Sequence, residues 1–121
     1  MKRLLPFIFS IAAFAMAISV FAAEYTVNVS VTGGSPQRLS TLLNNAGYSG
    51  TMTLDSLTTC NPDTNTVDLY RGQANVNSTN SLVLHPGDCF TDPPGAYAVD
   101  ASQIYLRTSS TQPATVILRS R

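Results

Sequence analysis

The chain has 121 residues, with seven Lys and Arg against seven Asp and Glu, one histidine, two cysteines and no tryptophan. A chain of this size holds one domain with a modest core, and its balanced, dispersed charge offers no basic stripe to a phosphate backbone, which excludes nucleic acid as a partner. Past residue 22 there is no lysine, and Arg38, Arg71, Arg107, Arg119 and Arg121 face seven acids, so solubility falls to Ser, Thr and Asn.

Lys2 and Arg3, an apolar run from Leu4 to about Phe21, and the small residues Ala22 and Ala23 are the three parts of a secretory signal. Residues 1–22 are read as the signal peptide and 23–121 as a single β domain, secreted or periplasmic, with no stable membrane span after cleavage. A retained anchor is the alternative, because about eighteen apolar residues can just cross a bilayer. Val20-Phe21-Ala22 as a cleavage site, Pro6, and the lack of a basic stop-transfer cluster after Glu24 favour export.

Tyr25, Val27, Val29 and Val31 then alternate with Thr26, Asn28, Ser30 and Thr32, the period of a half-buried strand. Gly33-Gly34 ends it. Ser35 and Pro36 offer an N-cap and a first helical residue; Leu39, Leu42 and Leu43 share one helical face, and Asn44 to Gly47 is a stop. Beyond Gly50 the pattern predicts short strands at Thr51–Leu54, Thr66–Tyr70, Ser81–Leu84, Ala96–Val99, Gln103–Arg107 and Ala114–Leu118, separated by Gly, Pro, Asn and Asp clusters. The fold class is mostly β: about seven short strands in a sandwich or jelly-roll-like barrel, with one short helix. Pro86-Gly87 reads as the centre of a tight turn after Leu84, and Gly72 as a bulge or turn closing the Val67–Tyr70 strand.

Cys60 and Cys89 are an even pair in a chain marked for export and read as a disulfide tying two loops at one end of the sandwich; two buried free thiols are the alternative. His85, the sole histidine, reads as a surface residue at a strand end. Asn61, Asp63 and Asn65 alternate oxygen-bearing side chains, but Thr66 and Gly72 stand where a calcium loop of the EF-hand kind needs glycine and an acid, so an Asx-rich turn is preferred. No glycine-flanked serine elbow, spare thiol or telling carboxylate pair is present, so no catalytic residue, metal or cofactor is assigned and the chain is read as not an enzyme. Asn28-Val29-Ser30 and Asn77-Ser78-Thr79 match the glycosylation acceptor pattern by chance in an Asn- and Ser-rich chain. If the strands holding Tyr70 and Tyr105 are neighbours, alternation places Val67, Leu69, Ile104 and Leu106 inward and makes Tyr70, Tyr105 and Arg107 one aromatic and polar interaction surface.

Three segments carry a resemblance: Asn65-Thr66-Val67-Asp68-Leu69-Tyr70-Arg71-Gly72, Leu82-Val83-Leu84-His85-Pro86-Gly87-Asp88 and Val99-Asp100-Ala101-Ser102-Gln103-Ile104-Tyr105-Leu106. In this order, and with the helical Leu39–Gly47 stretch before them, they resemble the small phage-type structural proteins of the head-decoration and fibre class. The resemblance implies a compact β module that acts by assembly or surface contact. The export signal and the cysteine pair depart from that family's usual pattern and point to a cellular, extracytoplasmic use of the fold. The expected function is that of an exported, non-enzymatic structural or interaction module whose partner is a protein, either itself or another exported one. A carbohydrate-binding domain with a glycan ligand is the alternative. A protease inhibitor presenting the Asp88–Gly95 loop is a third reading.

Overall fold

The computed structural model describes residues 24–92 and 98–120. The signal assigned to 1–22 lies outside them, as do Ala96 and Tyr97 of the expected Ala96–Val99 strand and residues 93–95 of the Asp88–Gly95 loop. In chain order the elements are β1 (Glu24–Val31), β2 (Gln37–Arg38), α1 (Leu39–Asn45), β3 (Thr53–Cys60), β4 (Leu69–Gly72), β5 (Leu82–Leu84), β6 (Cys89–Thr91), β7 (Val99–Asp100), a 3-10 turn at Ala101–Gln103, β8 (Tyr105–Thr108) and β9 (Gln112–Ser120). Among the described residues no helix is long and apolar enough to cross a membrane.

The strands form two sheets, both antiparallel. One runs β1-β9-β3-β6 with β7 also on β3, the other β2-β8-β4-β5. β6 and β7 lie end to end along the same side of β3, opposite Thr58–Cys60 and Thr53–Leu54 respectively. Taken as one interrupted strand, they leave eight strands dealt between two four-stranded sheets in the order of a jelly roll, a double-sheet sandwich built from two Greek keys. The core is what the alternation selects: Val29, Val31, Leu57, Val116 and Leu118 from one sheet and Leu69, Leu84 and Leu106 from the other are all buried. Each such side chain contributes about 1.5–3 kcal/mol when fully withdrawn from water.

α1 closes one side of the sandwich with Leu39, Leu42 and Leu43, the face expected of it. Its start is not at Ser35-Pro36. Gln37 and Arg38 pair with Leu106 and Tyr105 of β8, and the Leu39 N–H donates to the Ile104 carbonyl at 2.8 Å, so the backbone stays extended until that ladder ends. Its stop is where the Asn and Gly cluster put it: Tyr48 N–H bonds the Leu43 carbonyl (2.9 Å) and Gly47 N–H the Asn44 carbonyl (3.1 Å), the closing pattern of a Schellman motif.

Other boundaries shift for local reasons. β3 continues to Cys60, well past Leu54, because its register on β9 slips between Leu54 and Ser56. That bulge places Leu54 and Leu57, three apart, both in the core and hides the period of two. β4 begins at Leu69 rather than Thr66: the Val67 carbonyl is held by the side chains of Asn61 (3.0 Å) and Gln112 (2.9 Å) instead of a neighbouring strand. Gln103 is not in β8, because Asp100 accepts from Ser102 N–H at 2.9 Å and winds Ala101–Gln103 into the 3-10 turn. The Pro86-Gly87 turn forms as predicted, with Gly87 at φ 93° and Asp88 N–H donating to the His85 carbonyl at 2.9 Å.

Cys60 and Cys89 are bonded to each other. They do not join two loops: Cys60, the last residue of β3, is the direct cross-strand partner of Cys89, the first of β6, so the bridge is a rung of the ladder. With a sequence separation of 29 between them, the chain-entropy estimate of its contribution is roughly 3.5 kcal/mol. The Cys60→Ser, Cys89→Ser double variant should therefore lose about 2–4 kcal/mol in urea unfolding, and thiol titration of the denatured, unreduced wild type should find no free thiol.

Candidate interaction face

β8 and β4 are neighbours in the second sheet, and the structure places Tyr70 directly opposite Arg107, with Val83 of β5 on the other side of Tyr70. One row along, Tyr105 stands opposite Gly72 on β4 and Arg38 on β2. All of these point to the sheet's outer surface, because Leu69 and Leu106 between them point to the core. Tyr70, Tyr105 and Arg107 are half-buried and Arg38 is exposed. A helix starting at Ser35-Pro36 would take in Arg38, but its pairing with Tyr105 on β8 sets it on this surface instead. Its Nε donates to the Tyr105 hydroxyl at 3.0 Å while its guanidinium carbon stands 5.6 Å from the centre of the same ring, which fixes the ring in place.

The half-burial comes from the segment between β4 and β5. It folds back over the sheet face and anchors itself with Val76, which is 1% exposed. Gly72 makes this anchor fit. It remains in the ladder and forms neither bulge nor turn, but a Cβ there would stand 2.9 Å from Val76 Cγ2. The Asn cluster then ties the loop to itself. Asn77 Oδ1 accepts from Thr79 N–H (2.8 Å), Thr79 hydroxyl (2.7 Å) and Asn80 N–H (3.2 Å). Asn80 Oδ1 accepts from Asn77 N–H (2.7 Å), and Asn80 Nδ2 donates to the Asn75 carbonyl (3.0 Å). These are self-contained Asx turns within the Asn cluster.

The loop divides the face. On one side Tyr70 and Arg107, with Asn77, Ser78 and Gly34, surround a hollow of about 210 Å³. On the other, Tyr105 with Gln73, Ala74 and Gln103 borders a second one of about 300 Å³. Tyr70, Tyr105 and Arg107 therefore share a surface but not a continuous patch. The Arg107 guanidinium reaches the Val76 and Gly34 carbonyls, both at 3.4 Å, long contacts that leave donors facing the hollow.

Outside the face, His85 follows β5 directly and is exposed, with Nδ1 2.8 Å from Asp68 Oδ1. The hydrogen bond to Asp68, and then that carboxylate's charge, hold His85 above the ordinary histidine value. Asn61 is no calcium ligand in this arrangement; it is 1% exposed and spends its amide inside the protein. Among the described residues no three of His, Cys, Asp and Glu gather where they could hold a metal ion.

Comparison with protein-family models, with curated proteins and with solved structures found no match for this chain. The face is thus read from its own chemistry: two aromatic rings, two guanidinium groups and a rigid amide- and hydroxyl-bearing loop.

Proposed function

We propose that this chain is an exported, non-enzymatic interaction module, secreted or periplasmic, that works by self-association or by attachment to an extracytoplasmic protein. The observation that carries this reading is the hollow at Tyr70 and Arg107, which a loop stapled by Val76 and its own Asx turns holds open. Tyrosine and arginine supply much of the energy at protein interfaces, and a rigid rim spares the cost of ordering it on binding. The likeness to phage-type structural proteins supports the same reading, since those act by assembly. The disulfide is compatible with an extracytoplasmic location.

Carbohydrate binding is the second reading. Tyr70 beside the Asn77 amide, the Ser78 hydroxyl and the Arg107 guanidinium combines a stacking surface with donors and acceptors at its edge, the pairing that a sugar ring takes. Jelly rolls serve capsids and lectins alike, so the fold leaves the choice to the site.

Tyr70→Ala and Arg107→Ala test both. Retention of one exported partner, or of one polysaccharide on a glycan array, should fall at least about tenfold in either variant, while stability moves by about 1 kcal/mol or less because the residues are only half-buried. Unchanged retention in both variants would remove this face from either reading.

A further inference from the structure

Arg107 is a half-buried cation with no anion beside it. Among the described residues its guanidinium pairs with no carboxylate: Asp92 is taken by Arg71, and Asp68, two residues before Tyr70, is turned to His85. Withdrawing a charge from water without a counter-charge is costly, yet the fold holds this one in place. The Gly34 carbonyl reaches Nη2 from the β1–β2 turn, and the Val76 carbonyl reaches Nη1 from the β4–β5 loop. Both carbonyls are themselves fixed. Gly34 takes φ 98° and donates its N–H to the Thr108 carbonyl at 2.8 Å, and Val76 is the buried anchor of its loop. A guanidinium has five N–H donors. Two are engaged in these long contacts, and the remainder form an open fork of the kind that grips a carboxylate.

The rest of the rim supplies donors too. Asn77 spends its Oδ1 on Thr79 and Asn80, which leaves its Nδ2 unused, and the hydroxyls of Tyr70, Ser78 and Ser109 have no partner among the described residues. Among those residues no carboxylate lines the hollow of about 210 Å³, and no Leu, Ile, Val, Met or Phe does. The volume falls below the roughly 300–1,000 Å³ of pockets that take drug-sized ligands. It has room for one ring.

We infer that this hollow takes one carboxylated sugar unit, a uronic acid within a polysaccharide, with its carboxylate on the Arg107 fork, its ring against Tyr70 and its hydroxyls on Asn77 and Ser78. The inference names the ligand class for the carbohydrate reading given above and rests on it. An acidic side chain of a protein partner also carries a carboxylate, but it brings an apolar stem that finds no aliphatic wall here. Its carboxylate only accepts hydrogen bonds, whereas the three rim hydroxyls both donate and accept, as sugar hydroxyls do.

Affinity gel electrophoresis of the protein recovered after expression of the full chain, through polygalacturonate, alginate and hyaluronan, tests this. At least one polymer should retard the wild type. Methyl esterification of that polymer, which removes the charge and keeps the ring, should weaken binding at least about tenfold, as loss of a charge-assisted hydrogen bond does. Arg107→Gln should do the same on the unmodified polymer, and Arg107→Lys should recover only part, because an ammonium has no fork. Tyr25→Ala, on the opposite sheet, should bind as wild type does. Retardation by none of the three polymers overturns the inference, as does an Arg107→Gln variant that binds unchanged. Equal binding of acid and ester, still lost in Tyr70→Ala, would make this a neutral-sugar site, and binding to polyglutamate alone would make it a protein-binding one. Either result sinks the uronic acid while sparing the face. Should Arg107→Gln not fold, the comparison of acid with ester on the wild type decides by itself.

Discussion

Replacing Asp92 by alanine is expected to lower the unfolding free energy by about 3–5 kcal/mol, as removal of one member of a buried ion pair does. Arg71 sits on the inward side of β4, at the margin of the core, and its Nη2 donates to both Asp92 oxygens, at 2.5 and 2.7 Å. The two side chains are 14% and 16% exposed, and the guanidinium carbon lies 5.1 Å from the centre of the Phe90 ring. The pair thus clamps β4 of one sheet to the end of β6 in the other. Without Asp92 the guanidinium is left buried and uncompensated, with its Nε already lacking a partner. The residual exposure puts the loss toward the lower end of that range. Combining Arg71→Met with Asp92→Ala should return part of it, because no charge then remains inside. Urea unfolding of the three variants checks this, and a loss under about 1 kcal/mol for Asp92→Ala would show that the clamp carries little.

Asn61→Ala should cost a comparable amount. Asn61 Nδ2 donates to the Leu84 carbonyl at 2.9 Å and the Val67 carbonyl at 3.0 Å, and Oδ1 accepts from Asn65 at 2.8 Å and Gln112 at 3.4 Å. Its own N–H donates to the Asp88 carbonyl and its carbonyl accepts from Gly87 N–H. One buried amide thereby joins the end of β3, the approach to β4, the end of β5 and the start of β9. Each buried group left unpaired costs about 1–3 kcal/mol, so alanine should remove about 3–5 kcal/mol. Asn61→Asp keeps the acceptor but sets a carboxylate against two carbonyls. That raises its folded-state pKa above the unfolded value, so this variant should lose stability as pH rises from about 4 to 7. A pH-independent penalty would mean that the amide donors are not what matters.

Both residues show where reading the chain as a string reaches its limit. Alternation shows which side of a strand a residue takes, which is why Leu69 and Leu106 were legible as core and Tyr70, Tyr105 and Arg107 as outer. It does not show what stands across the sandwich, so the Arg71–Asp92 clamp, 21 residues apart in sequence, was invisible. Asn61 carried the marks of a turn residue, and it does begin a turn, but its burial depends on β9, which brings Gln112 to it from 51 positions away. The segment from 73 to 80 was legible as loop chemistry. That it folds back to divide the Tyr70 and Tyr105 surfaces depends on Val76 finding the space above Gly72, a fit between two residues that neither announces alone. A single bulge at Asp55 throws the period of two out of phase, so the alternation ends at Leu54 although β3 runs on to Cys60.

The position of the disulfide also decides how the molecule meets proteolysis. Cys60 and Cys89 belong to one sheet, yet the covalent ring they close contains β4 and β5 of the other. A peptide bond broken anywhere from 61 to 88, the exposed Asn-rich loop included, opens that ring without releasing a fragment. Both halves stay joined through sulfur, each held in the sheet it was built into, and a nicked molecule can remain folded. The exposed Asn-rich loop is therefore one whose cleavage does not divide the molecule.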